Sequence, residues 1–105
     1  MTDFTGNVLL TLVVPPAVED TVIDLLLAHP ELVRGFTTTQ GEGHGAAVEL
    51  LSPAEQVRGS ARRTTVRLVV PPETAQALVD LLRQNLAGAH LFYWITPILD
   101  AGRIE

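Results

Sequence analysis

The chain has 105 residues, no cysteine, no lysine and a net charge of −5. That excludes disulfides, thiolate metal sites and cysteine nucleophiles, and it leaves no broad basic surface for nucleic acid. The length allows one domain with one core, and no apolar run reaches the roughly 18 residues of a membrane span.

The opening Met1-Thr2-Asp3-Phe4 has no basic region ahead of an apolar stretch, so no signal peptide and a cytoplasmic location are expected. Val8 to Val14 is an apolar, β-branched run of strand length. It ends in Pro15-Pro16, which cannot extend a sheet ladder but suits the first turn of a helix. Val18, Val22, Leu25 and Leu26 then recur at helical spacing, with a stop near His29-Pro30. Val33 to Gln40 reads as a second strand. After residues 41–63, Thr65 to Val70 is a third strand, again ending in two prolines, Pro71-Pro72. Ala75, Leu78, Val79, Leu82 and Leu86 mark a second helix that stops near Ala87-Gly88. Ala89 to Thr96 is the last strand, and 98–105 is a tail.

These elements form a duplication. Leu12-Val13-Val14-Pro15-Pro16 recurs letter for letter as Leu68-Val69-Val70-Pro71-Pro72, and Asp24-Leu25-Leu26 as Asp80-Leu81-Leu82. The same offset pairs Phe36 with Phe92. Two βαβ halves interleave into one four-stranded antiparallel sheet with both helices on one face, so the expected class is α+β, ferredoxin-like βαββαβ, over a single domain spanning 1–105. Leu10, Leu12, Val14, Val66, Leu68 and Val70 should meet the helices. The opposite face carries Leu9, Thr11, Val13, Val69 and the aromatics Phe92, Tyr93 and Trp94, and is too apolar for water alone. Other subunits are its simplest cover.

The 41–63 connection breaks the symmetry, and an insertion of that length is usually functional or disordered. Ser52, with Glu55 three positions on and Pro53 between, is a capping-box signature and predicts a helical turn starting near Pro53. Gly41, Gly43 and Gly45 permit close approach to a ligand. All seven basic residues are arginines, and Arg58, Arg62, Arg63 and Arg67 fall within ten positions. Arg58, Arg62 and Arg63 are candidates for a forked anion site; the alternative is pairing with Glu42, Glu49 and Glu55. His29, His44 and His90 fit no metal spacing within one chain. His44, between glycines, is the best candidate for a metal or ligand contact, while His29 suits a helix C-terminus and His90 a strand edge. No acid pair or activated serine points to catalysis, and an enzyme is not expected.

With this topology, a glycine before the second strand and a long loop after it, the chain resembles the PII-like signalling superfamily. It is most similar to a subgroup encoded beside heavy-metal efflux pumps. The likeness rests on Gly35-Phe36-Thr37, Gly43-His44-Gly45, Leu51-Ser52-Pro53-Ala54-Glu55-Gln56-Val57, Arg62-Arg63, and Tyr93-Trp94 with Pro97. The resemblance implies a homotrimer with inward-facing sheets and ligand clefts between subunits. It also implies a loop at 41–63 that engages a membrane transporter or enzyme. Gly35, Phe36, Gly43, His44, Arg58, Arg62, Arg63 and Arg103 would line or gate the cleft, with His44 as the metal candidate. Nitrogen-regulatory members carry a loop tyrosine and a glycine- and lysine-rich phosphate loop; the only tyrosine here is Tyr93, and the second position holds Ala87-Gly88-Ala89. Two other readings stay open. One is a dimeric α/β-barrel enzyme of the small monooxygenase type, with a pocket around His90, Tyr93 and Trp94; the other is a protein adaptor without a small ligand.

Overall fold

In the computed structural model, residues 6–45 and 50–105 are described, without the side chain of Arg58. The order is β1 (Val8–Val14), a 3-10 turn (Pro16–Val18), α1 (Glu19–Leu27), β2 (Thr37–Gly43), α2 (Pro53–Arg58), β3 (Ala61–Val70), α3 (Pro72–Leu86) and β4 (Phe92–Pro97). The strands form one antiparallel sheet in the order β2-β3-β1-β4. This is the expected ferredoxin-like α+β arrangement.

Both proline pairs act alike at the ends of the central strands. Pro15 and Pro71 are extended, with φ −66° and −60° and ψ 151° and 152°, and the following proline opens a helical turn. A residue before proline is held out of the helical region, and a proline at the first helical position gives up an N–H with no partner there. The strand-to-helix corner is therefore written into two letters. The copies then diverge: Val18, at φ −120° and ψ 10°, interrupts the first, leaving nine residues for α1, whereas α3 runs for fifteen.

Leu10, Leu12 and Val14 from β1 and Val66, Leu68 and Val70 from β3 are buried in one cluster with Val22 and Leu26 of α1 and Ala75, Leu78, Val79 and Leu82 of α3. The period-2 faces of the two central strands thus select the same side, and both helices cover it. Thr11 pairs with Arg67, its own repeat equivalent, so this pair marks the local twofold of the duplication.

Several sequence expectations shift, and the last strand is Phe92–Pro97 rather than Ala89 to Thr96. The second strand is Thr37–Gly43 rather than Val33 to Gln40. Val33 is instead buried in the core, held in a turn where the Leu32 and Val33 amides donate to the His29 carbonyl at 3.0 and 2.9 Å. The third strand starts at Ala61, so the connection between β2 and β3 narrows from 41–63 to 44–60. Phe36 and Phe92 are not structural equivalents: Phe36 packs against the core, whereas Phe92 lies opposite Val13 on the open face and is 66% exposed. A one-residue slip in a strand exchanges its faces.

Leu68→Ala should lower unfolding free energy by about 2–5 kcal/mol, read from urea denaturation. Leu99→Ala, fully exposed in the tail, should stay within about 0.5 kcal/mol of the parent.

Candidate functional site

The base of the long connection is organised by one carboxylate. Ser52 is extended, at φ −129° and ψ 158°, and its hydroxyl accepts from the Glu55 amide at 3.2 Å, capping α2 as the signature predicts. The reciprocal half is displaced by one residue, since Glu55 Oε1 accepts from the Leu51 amide at 2.8 Å rather than from Ser52. Glu55 Oε2 accepts from the Arg62 amide and from Arg63 Nη1, each at 3.1 Å. Gly59 ends α2 at φ 71°, where a side chain would strain the backbone, and turns the chain into β3.

Glu55 is 4% exposed and Arg63 8%, so this ion pair is buried rather than solvated. The Leu51 amide contributes most to holding the Glu55 pKa below its ordinary value; burial opposes it, and Arg63 and the Arg62 amide reinforce it. Ala61 and Arg63 share the sheet face of Thr65 and Arg67, yet both are buried. α2 packs against β3 and covers that end of the otherwise open face.

The candidate ligand residues fall into separate groups. Gly43 closes β2 opposite Ala61, His44 follows it, and Arg62 lies opposite Glu42. Gly43, His44, Arg62 and Arg63 therefore gather at the hairpin end. Gly35 and Phe36 precede β2, at the far end of a seven-residue strand that spans about 20 Å. Arg103 is exposed in the tail, outside any helix or strand. The Arg58 side chain and Glu49 lie outside the described residues. Among the described residues, no group of three His, Cys, Asp or Glu side chains is assembled to hold a metal. His29 caps α1 as expected, with Nδ1 2.9 Å from the Leu25 carbonyl.

A second feature takes in two of the three residues of the barrel-enzyme pocket, His90 and Tyr93. A cavity of 470 Å³ lies between α3 and β4, backed by Leu12, Val79 and Leu82, with Arg83, His90 and Tyr93 also lining it. Against the expectation of three aromatics on the open face, Tyr93 lies opposite Leu12 on the helix face, while Trp94 lies opposite Thr11 on the other, because neighbours along a strand alternate faces. One pocket formed by both aromatics, as the barrel-enzyme reading requires, is therefore not built within the chain. The open face divides into an apolar half, with Val69 at 41%, Phe92 at 66% and Trp94 at 42% exposure, and a polar half of Thr37, Thr39, Thr65 and Arg67.

The Glu55 latch predicts a pH dependence. A carboxylate whose folded-state pKa is lowered contributes stability above its unfolded-state value and loses it as pH falls through the folded-state value. Glu55→Gln should melt several degrees below the parent at neutral pH, and the gap should close on acidification below the ordinary glutamate range. Thermal melts across pH check this.

Solved structures share the fold, among them the following three. A DUF3240 family protein from Shewanella baltica is 21% identical, with a TM-score of 0.76, covering 96% of this chain and 99% of that one. CPII, a nitrogen regulatory PII-like protein from Thiomonas intermedia bound to ADP, AMP and bicarbonate, is 17% identical, with a TM-score of 0.67 and coverage of 93% and 96%. A putative PII-like signaling protein from Thermus thermophilus is 15% identical, with a TM-score of 0.57 and coverage of 85% and 82%. At these identities the likeness is one of fold. No curated protein matches the chain. Residues 4–105 match the family described as Protein of unknown function (DUF3240), and the chain belongs to that family.

Proposed function

We propose that this chain is a non-catalytic, PII-like regulator acting in the cytoplasm as a homotrimer. It binds a small anion, nucleotide or metal ion at clefts between subunits and controls a partner through the 41–63 connection. The observation that carries this reading is the apolar half of the open sheet face, where Val69, Phe92 and Trp94 are exposed in the single chain. Large aromatic and aliphatic side chains grouped on one face of a small domain favour association. Facing sheets inward in a ring would cover them.

The dispersal of the candidate residues supports the same assembly. Gly35 and Phe36 stand at one end of β2, while Gly43, His44, Arg62 and Arg63 stand at the other. A ligand contacting several of the groups would draw them from neighbouring subunits, with Arg103 reaching across from a tail. Arg63 enters such a cleft already paired with Glu55, which leaves Arg62, exposed on β3, as the more accessible cation. His44, also exposed, is the metal candidate. A heavy-metal efflux transporter is the partner that the resemblance suggests, and an adaptor without a small ligand is the alternative.

Light scattering tests the assembly: a mass near three times 11.3 kDa is expected, and a dimer would overturn the trimeric clefts. Melts with ADP, AMP, bicarbonate and divalent metals then test the ligand. A true ligand at a hundredfold excess over its Kd stabilises by about 2.7 kcal/mol, and Arg62→Ala should abolish an anion's shift. No response to any of them would favour the adaptor.

A further inference from the structure

We propose that the cavity between α3 and β4 binds a small amphipathic monocarboxylate, an apolar chain ending in one carboxylate. Its 470 Å³ falls within the range of about 300–1,000 Å³ typical of small-ligand sites. The inner wall is made by Leu12, Val79 and Leu82, all buried core residues, and half-buried Leu86 and Leu91 continue it. Water against this inner wall lacks the polar partners that hold ordered water in proteins. An apolar body is the better occupant.

The exposed lining has the opposite chemistry. Arg83 Nη2 donates to the Tyr93 hydroxyl at 3.1 Å, and the guanidinium carbon lies 5.5 Å from the centre of the Tyr93 ring. Two contacts therefore hold this exposed cation beside the cavity. Its ion pair with Asp80 is long, at 3.9 Å, and solvated on both sides, so it competes weakly for the remaining guanidinium donors. After α3, Gly88 at φ 83° and His90 at φ 63° form the turn that sets His90 beside the same opening.

Charge selects the head group. Asp80 and the carbonyl end of α3, the negative pole of its dipole, disfavour a multiply charged phosphate. One carboxylate on Arg83 satisfies the cation at a smaller cost than a multiply charged group. The site lies at the β4 edge, whereas the Glu55 latch lies at the β2–β3 edge. It goes beyond the regulatory reading and does not depend on it.

The test titrates octanoate, octanol and acetate into isotope-labelled full-length protein, followed by amide NMR. Octanoate should bind saturably, one per chain, with the largest shifts across residues 82–93, and octanol and acetate at least tenfold more weakly. Arg83→Met, at an exposed position, should weaken octanoate about tenfold and leave octanol unchanged, with its melt confirming the fold. Leu86→Trp, which fills the cavity, should remove binding of both. The proposal is overturned if octanol binds as tightly as octanoate, if Arg83→Met changes nothing, or if the shifts centre on Val69, Phe92 and Trp94. Absence of saturable binding would also overturn it.

Discussion

Everything in this domain hangs on the seven paired positions of β1 and β3, from Val8 opposite Val70 to Val14 opposite Thr64. These are the two inner strands, and their helix-side residues are aliphatic along almost the whole ladder. Burying Leu10, Leu12, Leu68 and their neighbours under α1 and α3 is the main source of stability, at about 25 cal/mol per Å² of apolar surface removed from water. The outer strands depend on that pair rather than on themselves. β2 reads Thr-Thr-Thr-Gln-Gly-Glu-Gly and is exposed along nearly its whole length, so β3 holds it by backbone pairing and side-chain hydrogen bonds. Gln40 Nε2 donates to Thr64 and to Glu19 at 3.1 and 3.2 Å, and Thr64 donates to Glu19 at 2.7 Å. This polar knot fastens the edge strand to the start of α1.

The inner strands and both helices were legible because burial is periodic and the duplication prints the period twice. The presence of β2 was legible, with Thr37 to Gln40 inside the expected strand, but its bounds were not, because its residues carry no apolar stripe and the neighbouring Val33 offered a false apolar cue. The equivalence of Phe36 and Phe92 failed for a related reason. Sequence offset preserves chain position, but the face of a strand depends on pairing register, which a single slipped residue reverses. Ser52 was readable as a cap because capping is local. The larger role of Glu55 was not, because the Arg62 amide and the Arg63 guanidinium reach it only through the β3 pairing. Of the cavity, the sequence offered only His90 and Tyr93 as pocket candidates, because no local pattern reports the void that α3 and β4 leave between them.

The open face is less uniform than its composition suggests. Arg67 sits on the local twofold beside buried Thr11 and donates to Thr39 Oγ1 at 3.0 Å. The apolar half, with Phe92 and Trp94 stacked in a tilted pair 6.0 Å apart, therefore meets a threonine-rich half across an arginine. A flat, two-sided apolar contact would strand that cation without a counter-charge. A ring, in which each apolar half meets a neighbour and the arginine stays near a polar seam, fits this division better than a face-to-face pair.

The two repeat copies agree most closely along the inner strands and their proline corners and diverge beyond them. After α1 the chain caps itself with His29 on the Leu25 carbonyl and turns through Val33 into an edge strand. After the longer α3 it turns instead through Gly88 and His90, leaving the space backed by Leu82. Beyond β2 the first copy carries the long connection latched by Glu55. A duplicated frame needs each half to pack against the other, which constrains the shared positions. The positions released from that constraint lie at the β2–β3 hairpin end and the α3–β4 corner, on opposite edges of one sheet, so the two proposed sites share no residue.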